Sequence, residues 1–62
     1  MTGKLLTAEQ LAEYLNISRH AVYCMVFRRE IPHLKLGRRV RFDPIEVQQW
    51  LEDQKISPNG YK

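Results

Sequence analysis

Two helix-start signals stand so close together in this chain that whatever they initiate must be joined by a tight turn. Thr7 with Gln10 three residues on is a capping box, and Leu6 and Leu11 occupy the positions of a hydrophobic staple around it. Ala8, Leu11, Ala12 and Leu15 then recur at helical spacing and Asn16 offers a stop, which predicts a first helix over Ala8 to Leu15. Ser18 caps again almost at once, with Ile17 and Val22 as a second staple pair, and predicts a second helix over Arg19 to Arg29. A connection this brief sets the second helix across the first, in the helix-turn-helix arrangement, where the first helix braces the second.

The remaining chain completes a small architecture. In the second helix Val22, Met25 and Val26 form the stripe expected to be buried, and His20, Cys24 and Phe27 point away from it, flanked by Tyr23 and Arg28. Pro32 forbids further helix, and His33 to Leu36 and Arg39 to Phe42 both alternate in polarity around Gly37 and Arg38, which predicts a hairpin. A two-residue loop would put Leu34 and Leu36 on the same face as Arg39 and Arg41. A three-residue loop or a bulge instead pairs Leu36 with Val40 and Leu34 with Phe42, leaving Lys35, Arg39 and Arg41 facing solvent, and is the register the polarity pattern favours. Asp43, Pro44 and Glu46 open a third helix, with Phe42 placed to staple onto Val47 and with Val47, Trp50 and Leu51 as its apolar stripe, ending near Gln54. The expected fold is mainly α with a small β-hairpin, a winged helix-turn-helix of order α-α-β-β-α. It forms one domain over residues 1–54, followed by a polar, flexible tail over residues 55–62.

Size and charge narrow what such a domain does. A chain of 62 residues supports one core, near the lower limit for folding without staples, and its lone cysteine, Cys24, makes no internal disulfide. No Cys/His set at ligand spacing suggests a metal, and His20 and His33 read as exposed side chains, His33 on the polar face of the hairpin. No acid/base pair or activated nucleophile is placed by these elements, so neither an enzyme nor a cofactor is expected. No apolar run approaches the roughly 20 residues that span a bilayer, and Met1 to Lys4 do not open a signal peptide; a reducing, cytoplasmic setting is expected. The formal charge of +3 says little, but its distribution is uneven. From Arg19 to Arg41 seven cations meet one carboxylate, Glu30, whereas the rest of the chain has three cations and six carboxylates. One basic segment between acidic ends is the footprint of a surface that meets phosphates.

Leu5-Leu6-Thr7, Leu11-Ala12, Ser18-Arg19, Val22-Tyr23, Ile31-Pro32, Gly37 to Phe42 and Trp50-Leu51 follow one another in an ordered set over about Leu5 to Leu51. In that set the chain resembles the excisionase-like branch of the MerR superfamily of winged helix-turn-helix domains. The resemblance implies binding of double-stranded DNA, with the second helix in the major groove and the hairpin as a wing beside it. It implies a phage or mobile-element recombination directionality factor or a small bacterial transcriptional regulator. Carried over by position, Ser18, Arg19 and Tyr23 are helix contacts and Arg38, Arg39 and Arg41 wing contacts. The chain departs from its relatives where they carry basic residues and it has Cys24 and Phe27, and where they often carry glycine and it has Arg29.

Residues and resemblance together assign base reading to Arg19, His20 and Tyr23, with Ser18 at the helix start, and phosphate contact to Arg28, Lys35, Arg38, Arg39 and Arg41. Phe27 suits either a thymine methyl or a protein surface. One module of this kind covers roughly 600–1,000 Å² of protein surface, so self-association on DNA or a recombinase or regulator partner is expected. No small-molecule effector is expected. The rival reading is a protein-interaction adaptor, an anti-repressor or recombinase accessory factor, that uses the His20, Cys24 and Phe27 face.

Overall fold

The computed structural model describes residues 4–56 and shows, in chain order, α1 (Ala8–Leu15), α2 (Arg19–Phe27), β1 (Leu34–Leu36), β2 (Arg39–Arg41) and α3 (Pro44–Asp53). Three helices and a two-stranded antiparallel hairpin in this order make a small winged helix-turn-helix domain. From Ser57 onward the expected tail lies outside the described residues. Among the described residues no helix is long and apolar enough to cross a membrane.

The turn between α1 and α2 is built entirely from local hydrogen bonds. The capping box at Thr7 is closed: Gln10 N donates to Thr7 Oγ1 at 3.1 Å and Thr7 N donates to Gln10 Oε1 at 3.0 Å. At the far end Asn16 takes a left-handed conformation, φ 59°. Asn16 N donates to Glu13 O at 3.2 Å and Ile17 N to Ala12 O at 3.0 Å, the paired bonds of a Schellman ending. Ser18 Oγ then accepts from Ala21 N at 3.0 Å and starts α2. One short turn thus closes one helix and opens the next, which sets the angle at which α2 is presented.

α2 ends at Phe27, two residues before the predicted Arg29. Arg28 caps it, Arg29 sits at φ 59°, Arg29 N donates to Val26 O at 3.0 Å and Glu30 N to Met25 O at 2.9 Å. This is a second Schellman ending, with arginine where glycine is the unstrained choice. The chain reverses here because Ile31, 3% exposed, must return to the core before Pro32.

The hairpin contradicts the predicted register. Leu34 pairs with Arg41, Lys35 with Val40 and Leu36 with Arg39, so the loop is the two-residue one, Gly37-Arg38. Gly37 has φ 67°, while Arg38 needs no positive φ, which fits a tight turn with glycine in its first central position. Turn chemistry prevails over polarity because β1 seats nothing in the core: Leu34 and Leu36 remain 37% and 53% exposed. The strand that reaches the interior is β2, through half-buried Val40 and, just beyond the strand, fully buried Phe42. Lys35 therefore shares a face with Val40, and Arg39 and Arg41 share the opposite face with the two leucines.

Phe42 is the residue on which the elements converge. Its backbone exchanges two hydrogen bonds with Leu6, of 2.8 and 2.9 Å, tying the segment before α1 to the end of the hairpin. Its side chain joins Ala8, Leu11, Ala12, Val22, Ile31 and Val47 in the core, with Leu15, Met25, Val26, Trp50 and Leu51 packed around them. α3 starts where Asp43 Oδ1 accepts from Ile45 N at 3.0 Å. This is a simple N-cap bond to the second residue of the helix; among the hydrogen bonds of the described residues Asp43 and Glu46 make neither bond of a capping box. α3 is fastened to the end of α2 by Trp50, whose Nε1 donates to Glu30 O at 2.8 Å.

Candidate nucleic-acid interface

The cations named from sequence gather on two neighbouring elements, the exposed side of α2 and the hairpin, which meet in an open groove of about 630 Å³. Tyr23, Val26 and Phe27 of α2 line one side of that groove, and His33, Lys35 and Val40 line the other. Arg29 also lines it, held by the left-handed turn at the end of α2. Arg28, Arg38 and Arg39 are exposed. Arg41 is half-buried and donates from Nη1 to Val40 O at 2.8 Å. The wing cations are consequently split: Lys35 faces the groove and α2, Arg38 sits in the hairpin loop, and Arg39 and Arg41 occupy the outer face. The sequence pattern had put Lys35 on the same face as Arg39 and Arg41, and the pairing register moves it.

On α2 the predicted residues differ in what they are free to do. Ser18 spends its hydroxyl oxygen on the Ala21 amide, so its first role is to cap the helix. Arg19 is exposed and donates from Nη1 to Glu9 Oε2 of α1 at 2.7 Å. Nothing in local spacing announces that pair, because its members lie ten residues apart and only the tight turn brings them together. His20 Nε2 lies 3.5 Å from Cys24 Sγ. The i, i+4 spacing of the two residues brings them together on one face of the helix. Tyr23 is 48% exposed and Phe27 is 89% exposed, so the face opposite Val22 is open to solvent as the helical spacing required.

His33 is not on an exposed polar face. It precedes β1, is half-buried, donates from Nδ1 to Ile31 O at 2.8 Å, and is one of the residues lining the groove. Among the described residues no three His, Cys, Asp or Glu side chains come together in a way that would hold a metal ion.

A family model described as a helix-turn-helix domain matches residues 5–55, a stretch that includes all three helices and the hairpin. Neither the curated proteins nor the solved structures yield a match.

Proposed function

Taking as premise that the chain belongs to the helix-turn-helix domain family and binds double-stranded DNA, we propose that α2 enters the major groove while the hairpin acts as a wing on the adjacent backbone. Arg19, His20 and Tyr23 read base edges, and Arg28, Lys35, Arg38, Arg39 and Arg41 neutralise phosphates. The observation that carries this reading is the shared groove: Arg29 and Lys35 face each other's elements across it, so the backbone that rises beside a helix in the major groove meets positive charge on both walls. We propose further that the domain serves as an excisionase-like recombination directionality factor or a small transcriptional regulator. A single module of this size offers a small interface, so tight binding requires a second copy on DNA or a protein partner.

A second reading has one observation in its favour. Phe27 is 89% exposed on the face that an adaptor would use against another protein. Fluorescence anisotropy of a random-sequence duplex at about 50 and about 200 mM salt separates the two, because phosphate contacts lose affinity steeply over that range and apolar protein contact does not. Salt-sensitive binding supports the groove-and-wing reading. Absence of binding at either salt would sink it in favour of the adaptor.

A further inference from the structure

The outward face of α2 suits one kind of base edge. His20, Cys24 and Phe27 form the stripe that points away from fully buried Val22, and a shallow depression on this face is walled by Tyr23, Cys24, Phe27 and Arg28. Beyond His20 the stripe has little hydrogen-bonding capacity. The Cys24 thiol is a weak donor already 3.5 Å from the imidazole of His20, and the Phe27 ring, 89% exposed, has none. Where Phe27 covers a polar base edge, it strips that edge of water and returns no hydrogen bond, at a cost. The major groove offers one apolar feature that escapes this penalty, the C5-methyl of thymine. The surroundings also select the occupant. Phe27, with Tyr23, forms the wall shared by this depression and the groove toward the wing, with Arg28 lining the first and Arg29 and Lys35 the second. An aromatic ring set among three cations fits a polyanion that carries methyl groups better than an apolar protein surface.

We propose that Phe27, flanked by Tyr23, reads thymine methyl groups in the major groove, and that this domain selects thymine-bearing steps toward the wing side of its site. The inference rests on the reading of α2 as the helix that enters the groove. Specificity at these positions is then apolar, and Arg19 at the opposite end of α2 supplies the hydrogen-bonded part.

The test removes the methyls and nothing else. A randomised duplex pool is enriched on the full chain, then amplified in parallel with dTTP or with dUTP in its place, and both pools are titrated by anisotropy. Wild type is expected to bind the uracil pool about fourfold more weakly for each methyl lost from contact, the factor that corresponds to one buried methyl group. Phe27→Ala is expected to bind the thymine pool as weakly as wild type binds the uracil pool and to show no preference, and Phe27→Leu to recover part of it. Because Phe27 is so exposed, thermal unfolding of both variants followed by circular dichroism should match wild type and exclude a folding defect. Equal binding of the two pools by wild type, or undiminished discrimination by Phe27→Ala, overturns the inference while leaving the helix-in-groove reading intact. Failure of wild type to bind either pool in a salt-sensitive way overturns both.

Discussion

Arg19, the first residue of α2, donates from Nη1 to Oε2 of Glu9 on α1 at 2.7 Å, with the two side chains 61% and 70% exposed. An ion pair this open contributes on the order of 0–1 kcal/mol, so a guanine edge or a phosphate can displace the carboxylate. If Arg19 meets DNA as proposed, the pair is expected to withhold one positive charge from the DNA away from the preferred sequence. Glu9→Gln is therefore expected to raise affinity for random duplex and to steepen the dependence of log K on log salt by about 0.9, the increment for one further phosphate contact. Combining it with Arg19→Ala should abolish the gain. An unaltered slope in titrations at several salt concentrations would mean that Arg19 already leaves Glu9 on non-specific DNA.

The wing and the helix start are expected to fail differently. Arg39→Ala should weaken binding to all sequences alike and flatten the salt slope by about 0.9, because a phosphate contact carries no sequence information. Arg19→Ala should cost roughly 1–3 kcal/mol on an enriched sequence and relax its preference at one position. Parallel titrations of enriched and random duplex decide it; equal losses on both for each variant would contradict the division of roles.

Arg29 holds a backbone conformation that favours glycine while its side chain lines the groove. Arg29→Gly should relieve the left-handed strain, offset in part by the greater freedom of glycine in the unfolded chain, for a net gain of about 0.5–1 kcal/mol. In a domain this small that raises Tm by roughly 2–8 °C. Affinity for DNA should fall at the same time. Circular dichroism melts and anisotropy on one protein preparation would show stability and binding moving in opposite directions; a lowered Tm would instead mean that the Arg29 side chain contributes to the fold.

Trp50→Phe removes the 2.8 Å hydrogen bond from Nε1 to Glu30 O and leaves most of the apolar contact. Water can reach the exposed Glu30 carbonyl once the indole is gone, so the loss of this one hydrogen bond predicts destabilisation of about 0.5–1.5 kcal/mol. The bond anchors α3 to the reversal that follows α2, so the end of α2 should loosen before the turn at Asn16 does. Amide exchange at Arg29 and Glu30 faster than at Asn16 and Ile17 is the expected signature, and uniform acceleration would argue against it.

What could be read without coordinates is what short-range chemistry controls. Thr7 with Gln10, Asn16, Ser18 and Asp43 with Pro44 each act within a few residues, and they placed α1, the turn and the starts of α2 and α3 where the chain has them. The stripe of His20, Cys24 and Phe27 follows from helical spacing alone, as does the contact of His20 with Cys24. The tertiary structure decided matters in which distant segments compete. α2 stops at Phe27 because Ile31 has to return to the core, a demand that helical periodicity does not carry. The hairpin adopts the register that exposes Leu34 and Leu36 because only β2 is seated on the core, so polarity on β1 gives way to the needs of a tight turn at Gly37. That choice carries Lys35 to the groove side, away from the face of Arg39 and Arg41. The pairing of Glu9 with Arg19 and of Leu6 with Phe42 spans segments that no local rule connects. Local hydrogen bonds thus specify each element, and the burial of one small shared core determines how the elements face one another and which side chains reach the groove.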